Sequence, residues 1–368
     1  TAVTVWVGRH RAEVDNLPKR CGTWPRAALL RDQREARLNH RRATIVDVAR
    51  EAGVSTATVS RSLREDPRVR PDTRERVREA AEKLRLVPNA QAAGLASGEP
   101  RTVGLLAPLL TTWYTSEVVA GVEEALSLAR YDLLLGTADP LATERVYRGA
   151  EGIRQRTDGM ILVDALCQED GARRLLEQGI AAVALGEELA SISSITIDNV
   201  AGGKLAAEHL VARGKSQLAV IAGVVESPET SVLGGRLAGF GSGVRDAAMS
   251  EPLLEMDALS IEGGGRAMAR LLASHRPIDA VFALSDEMAF GAIAALRESG
   301  LEPGRDVAVV GFDDHPAAAP FGLTTVRQPV REMGALAANE LIDQISSRHT
   351  PRHVEVPLTL IERSSTAI

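Results

Sequence analysis

Apolar positions along this 368-residue chain follow two periodic regimes that change over near residue 100. Between Thr44 and Leu84 they recur at helical spacing. Ile45, Val48, Ala49 and Ala52 mark one face of a first helix, with Thr44 before it as N-cap and Asp47 near its positive end. Gly53 and Val54 read as a tight turn. A second short helix opens near Ser55 and turns Val59 and Leu63 inward, which leaves Thr56, Ala57, Ser60 and Arg61 outward. In a third, Val77, Ala80, Ala81 and Leu84 form the stripe, and Asp72 with Glu75 reads as a capping-box-like start. Three helices over roughly 45 residues close only a small core.

From Arg101 onward the pattern alternates between strands and helices. Apolar runs at Val103–Ala107, Leu133–Gly136, Met160–Val163, Ala181–Leu185, Leu218–Ala222, Ala280–Ala283 and Val307–Gly311 predict strands. Amphipathic stretches such as Glu117–Ala129, Gly203–Ala212, Arg236–Ala248 and Glu287–Ser299 predict helices between them. Continuous apolar strands separated by helices mean parallel sheets covered on both faces. Seven units exceed one small open sheet, so two doubly wound lobes are expected. A ligand would sit between them, beyond the carboxyl ends of the strands.

The first region has a chemistry of its own. Two short helices joined by a tight glycine-containing turn form a helix-turn-helix, whose second helix enters the DNA major groove. A helical hairpin inside another fold is the alternative. Charge favours the first reading. Residues 1–98 hold 20 Lys/Arg against 12 Asp/Glu, while the remainder holds 23 against 37. A basic front on an acidic body suits a DNA-binding module joined to something that is not one.

Other classes fall away. No run of 18 apolar residues exists to span a membrane, and no basic-then-apolar signal peptide opens the chain. Cys21 and Cys167 are too few for a disulfide framework or a zinc site. A cytoplasmic protein with no metal and no cofactor is expected. The glycines at 202–203, 234–235 and 263–265 match neither a dinucleotide fingerprint nor a phosphate loop, and no serine elbow or paired catalytic histidine appears, which argues against an enzyme. Residues 1–43 are arginine-rich, hold Trp6 and Trp24 and show no sustained period. They read as a disordered basic arm that adds non-specific DNA affinity, or as an upstream extension of the reading frame.

A family resemblance now enters. Thr44-Ile45-Val46-Asp47-Val48-Ala49, Ala52-Gly53-Val54-Ser55, Thr58-Val59-Ser60-Arg61, Thr73-Arg74-Glu75-Arg76-Val77 and Val87-Pro88-Asn89 resemble the headpiece of the LacI/GalR (lactose-repressor/galactose-repressor) family of transcription factors. The likeness continues through nearly all of the chain beyond residue 43. It implies an all-α helix-turn-helix headpiece at 44–88 and a hinge helix and linker at 89–98. It further implies an α/β periplasmic-binding-protein-like regulatory domain of two doubly wound parallel-sheet lobes at 99–368. Lobe 1 would take about 101–198 and 324–350, and lobe 2 about 199–322 and 352–368. The implied function is a transcriptional repressor under the control of a small effector. No heptad tail for a tetramer follows Thr366, so the family pattern implies a homodimer on operator DNA.

The resemblance also assigns roles. Thr56 and Ala57 would begin the recognition helix and read base edges, Ala57 only by packing on a thymine methyl. Arg61, one turn later, can hold a guanine bidentately, worth about 1–3 kcal/mol of discrimination. Ser55, Thr58 and Ser60, with Thr44 and Thr73 at helix starts, suit phosphates. For Thr58 and Ser60, local capping is the alternative. Residues 89–96 resemble the hinge helix that folds on the minor groove, with Asn89, Ala92 and Leu95 as contacts and Leu95 as the wedge between base steps. Gly94 would keep that helix weak when free.

For the effector, Arg236-Leu237-Ala238-Gly239-Phe240 resembles the segment whose arginine holds ligand hydroxyls or carboxylates. Leu284-Ser285-Asp286-Glu287-Met288-Ala289 resembles the one whose aspartate, here Asp286, accepts bonds from sugar hydroxyls or a base amine. Tyr114, after Trp113, stands where a family aromatic stacks on the ligand. Gly311-Phe312-Asp313-Asp314 and residues 323–329 complete the match, with Phe312 as a further effector residue. Two acids usual in the family are missing: Leu109 follows Pro108, and Gly186 follows Leu185. Asp164 is the candidate to compensate. The effector is expected to be a carbohydrate or a derivative of one.

Overall fold

A computed structural model describes residues 3–6, 43–63, 65–86, 101–137, 156–164, 169–224, 231–347 and 349–367. The chain forms two compact units, one within residues 9–100 and the other from 101–368 together with residues 1–8.

In the first unit, helix α1 (Ile45–Ala52) opens on a capping box. The Thr44 hydroxyl accepts the Asp47 N–H at 3.3 Å, and the Asp47 carboxylate accepts the Thr44 N–H at 3.0 Å. It closes on Gly53, whose N–H reaches back to the Ala49 carbonyl. Helix α2 (Thr56–Leu63) starts at Ser55, whose hydroxyl accepts the Thr58 N–H at 3.1 Å. Helix α3 (Pro71–Lys83) departs from expectation. Pro71 takes its first turn, Arg70 takes the cap position and no side chain caps it, so Asp72 and Glu75 form no capping box. Proline brings no N–H that would need a partner there, which is the physical reason. Val48, Val59 and Val77 are fully buried with Ala49, Ala52, Ala80 and Ala81 between the three helices. Ile45 stays 36% exposed and lies at the rim of the apolar stripe rather than in it.

The second unit begins with β1 (Val3–Trp6), β2 (Thr102–Ala107), α4 (Trp113–Ala129), β3 (Asp132–Thr137), β4 (Gly159–Val163), α5 (Glu169–Glu177), β5 (Ala181–Leu185) and β6 (Ser193–Thr196). There follow α6 (Asn199–Ala212), β7 (Leu218–Gly223), α7 (Val232–Asp246), β8 (Leu253–Asp257), α8 (Ile261–Ala273), β9 (Ala280–Ala283), α9 (Asp286–Glu298) and β10 (Ala308–Asp313). The chain ends with α10 (Ala318–Phe321), β11 (Thr324–Arg327), α11 (Val330–Ser346), β12 (His353–Glu355) and β13 (Thr359–Ile361). One sheet is ordered β1-β3-β2-β4-β5-β6-β12 and is parallel throughout. The other is ordered β13-β11-β10-β9-β7-β8 and is parallel except for β13 on β11.

Two lobes of doubly wound sheet are thus present, as the alternation predicts. The crossings differ in detail from the expected boundaries. Residues 324–327 pair with β10 in the second sheet, and only α11 brings the chain back to the first lobe. Residues 353–355 then join the first sheet beside β6 before β13 returns to the second. At the other end, Val3–Trp6 pairs in parallel with β3 at a sheet edge, which neither reading of residues 1–43 anticipated. Helix α7 begins at Val232, a turn before the expected start at Arg236, because Ser231 caps it through the Gly234 N–H.

The core of the first lobe sets Leu105, Ile161 and Val183 against Val118 and Val122 of α4 and Ala337 and Leu341 of α11. In the second lobe Phe240 stacks on Phe282 with centroids 5.0 Å apart on one side of the sheet. Ile221, Val281 and Val309 meet Met268 and Ile293 on the other. Both sheets send their carboxyl ends toward a shared cleft. Among the described residues no helix is long and apolar enough to cross a membrane.

Candidate functional site

On the headpiece, α2 presents Thr56, Ala57 and Arg61 to solvent, with Ser55 exposed just before them. Arg61 makes no ion pair among the described residues, whereas Arg68 is held by Asp66, Arg78 by Glu75 and Lys83 by Glu51. Its side chain is exposed, with the Asp66 carboxylate as an electrostatic neighbour. Thr58 is half-buried with its hydroxyl oxygen 2.9 Å from that of Ser55, which is the local capping arrangement. Ser60 and Thr73 are also half-buried. The Thr44 hydroxyl donates to the Asp47 carboxylate at 2.7 Å. Asn89, Ala92 and Leu95 lie outside the described residues.

The cleft is built around one buried guanidinium. Arg236 on α7 is 5% exposed. Its Nε donates to Asn199 Oδ1 at 3.0 Å and its Nη1 to the Leu284 carbonyl at 2.7 Å. The Phe312 ring lies under it, 3.7 Å from guanidinium carbon to ring centroid. Its Nη1 also stands 3.7 Å from Asp313 Oδ1. Phe312 is fully buried, and its ring face supports the Arg236 guanidinium. Asp313 ends β10, and Gln328 Nε2 donates to its Oδ1 at 2.5 Å. Burial pushes the Asp313 carboxyl up to about 6 against the pull of Arg236.

Asp286 takes a different place from the expected one. It is fully buried, Oδ1 accepts the Thr325 hydroxyl at 2.6 Å, and Oδ2 accepts the His315 N–H at 2.8 Å. Both oxygens are occupied within the protein. The carboxylate beside Arg236 is instead Asp313, which sequence reasoning passed over although it stands in the quoted segment 311–314.

On the first lobe, Tyr114 sits in the first turn of α4, and its hydroxyl donates to Asp164 Oδ1 at 3.4 Å. Burial holds that phenol neutral. Asp164 directly follows β4, with a left-handed φ of 50°. Burial pushes its carboxyl up to about 6, opposed by Arg236 across the cleft. Gly186 has φ +102°, and a Cβ there would stand 2.4 Å from Asp164 Oδ1. The missing acid at 186 and the presence of Asp164 are thus one feature, since glycine makes room for the neighbouring strand's carboxylate. Glu187 follows. Burial and Asp164 push its carboxyl up to about 7, and its Oε1 is buried with no hydrogen-bond partner among the described residues.

At the mouth the lobes touch. The Trp113 ring meets His315 at 5.0 Å between centroids, and His315 meets Phe290 at 5.4 Å. Sequence reasoning missed Glu187, Asn199, His315 and Gln328 as well as Asp313. Position just after a strand is the signal that could have found Glu187 and Asp313. No group of acidic, histidine or cysteine side chains among the described residues could hold a metal ion.

Known proteins are similar to this chain in sequence and fold. Residues 44–89 match the description of bacterial regulatory proteins of the lacI family, and residues 207–366 match a periplasmic binding protein-like domain. An HTH-type transcriptional repressor PurR from Erwinia tasmaniensis is 36% identical over 338 residues, 88% of this chain and 97% of that protein. A lac repressor dimer bound to operator and the anti-inducer ONPF superposes with a TM-score of 0.77 at 27% identity, over 89% of this chain and all of that one. The transcriptional regulator CelR in complex with cellobiose gives a TM-score of 0.63 at 31% identity, over 88% of this chain and all of that one. With both domains matched and more than a third of positions shared with a repressor over almost its whole length, this chain belongs to the LacI family of transcriptional repressors.

Proposed function

We propose that the protein is a cytoplasmic homodimeric repressor that binds an operator through α2 and a hinge containing Asn89, Ala92 and Leu95, and that a small polar effector bound between the lobes sets its DNA affinity. The observation that carries this reading is the cleft itself. Arg236, Asp313, Asp164 and Tyr114 converge from both lobes, in a chain that also carries the exposed Arg61 on α2. A guanidinium fixed by Asn199, Leu284 and Phe312 is pre-organised to take hydroxyl or carbonyl oxygens, and Asp313 and Asp164 take hydroxyl or amine hydrogens. Trp113 and Tyr114 bring aromatic surface to the same opening, which suits a sugar ring or a heterocycle. The cellobiose bound to CelR supports a carbohydrate.

Ligand acts by preference for one lobe arrangement, because only differential binding shifts an equilibrium. The test is a thermal-shift screen of the full chain against cellobiose, ribose and hypoxanthine, followed by operator titration with whatever stabilises it. A compound that raises the midpoint, loses its effect in Tyr114→Ala and alters DNA affinity is the expected result. Stabilisation that survives that substitution would place the ligand elsewhere.

A further inference from the structure

Resting on that cleft reading, we propose that the effector is a cation: a small polyhydroxylated molecule carrying one protonated amine, seated between Asp164 and Glu187. Negative charge in the cleft exceeds the positive charge set against it among the described residues. Arg236 is the positive group of the cleft among the described residues, and it is already committed. Its Nε and Nη1 are held by Asn199 and the Leu284 carbonyl, its face by Phe312, and its charge stands beside Asp313. Asp164 and Glu187 form the opposite wall, with no ion pair to a cation among the described residues. The Asp164 carboxylate accepts from the neutral Tyr114 hydroxyl at 3.4 Å, and Glu187 Oε1 is shielded from solvent with no partner among the described residues. Gly186, at a positive φ that glycine adopts without steric cost, leaves the room the Asp164 carboxylate occupies.

A buried carboxylate lacking a counter-charge is relieved in two ways: it takes up a proton, or a cation comes to it. Burial pushes both carboxyls upward, the direction of the first route. An ammonium group supplies the second, with three donors for the two carboxylates and the Tyr114 oxygen. The Trp113 and Tyr114 rings add faces on which a positive group is attracted. A neutral polyol would leave this wall unmatched, and a carboxylate ligand would add a further negative charge to it.

The experiment uses matched probes on the full-length protein at neutral pH: glucamine against sorbitol and gluconate, and glucosamine against glucose and glucuronate. Thermal midpoint and calorimetric titration are read for wild type, Asp164→Asn, Glu187→Gln and Tyr114→Ala, with far-UV circular dichroism to verify folding. At least one amine is expected to bind more tightly than its neutral parent and its acid. That preference should fall at least about tenfold in Asp164→Asn or Glu187→Gln, as when one member of a buried charge pair is removed. A panel in which no amine exceeds its parent, or in which the preference is unchanged in both variants, overturns the inference. If sorbitol, glucose or either acid binds best and Tyr114→Ala abolishes it, the cleft reading stands and the charge inference falls. Binding untouched by all three substitutions overturns both.

Discussion

Asp286 and Asp313 show how far a residue's role depends on its neighbours. Both follow or end a strand of the second lobe, yet Asp286 spends its oxygens on Thr325 and His315 while Asp313 stands beside Arg236. Asp286→Ala is therefore expected to lower the thermal midpoint, because a buried hydroxyl and N–H lose their acceptor at a cost of roughly 1–3 kcal/mol each. Asp164 carries a pH dependence with a definite sign. Its folded pKa of about 6 lies above the ordinary carboxylate value, so the native state binds the extra proton and stability falls as pH rises through about 6. Asp164→Asn should raise the midpoint at pH 8, change it little at pH 4, and so flatten the curve measured by calorimetry across that range. At the other end of the molecule, Arg61→Ala should weaken a selected operator by about 1–3 kcal/mol and random DNA by much less, in titrations at one salt concentration. Tyr114, Arg236 and Arg61 could be singled out from the sequence because each sits in a recognisable motif. Glu187 was not, since an acid after a glycine reads as a solvated loop until folding buries it.

At the scale of elements, long apolar strands were readable and short or polar ones were not. Strand β8 alternates half-exposed residues and holds Glu255 and Asp257, so its sequence carries no continuous apolar run. Helix α8 hides behind Gly263-Gly264-Gly265 in its first turns, a run of poor helix formers that tertiary packing tolerates. Glycine there is a packing requirement, and the same holds for α6 against α7. A Cβ at Gly203 would stand 2.0 Å from the Arg236 carbonyl oxygen. Gly203→Ala must push α7 away from α6 and carry the Arg236 guanidinium with it. Weaker effector binding and a lower midpoint are expected from calorimetry, with non-specific DNA binding retained by the headpiece. Residues 324–327 were placed in the wrong lobe because a four-residue strand with one fully apolar side chain gives no sign of which sheet edge it joins. Register with β10 decides that, and register is a property of the assembled sheet.

For the whole molecule, the separation of charge and the alternation of strands and helices were enough to foresee a basic DNA-binding unit followed by two lobes around a cleft. The exact placement of the last crossings between lobes and the pairing of Val3–Trp6 with β3 were not foreseeable, because they depend on contacts between segments far apart in sequence. The account's central claim is that occupation of the cleft and binding of operator are energetically coupled. Such coupling is reciprocal, typically 5–150-fold in affinity. The most direct test selects an operator from a random pool with the full-length protein, then titrates the cleft ligand into free protein and into the protein–operator complex by calorimetry. The account expects the two ligand affinities to differ, by the same factor by which saturating ligand changes operator affinity, and expects the difference to vanish in Tyr114→Ala. Equal ligand affinities for free and operator-bound wild-type protein would contradict it.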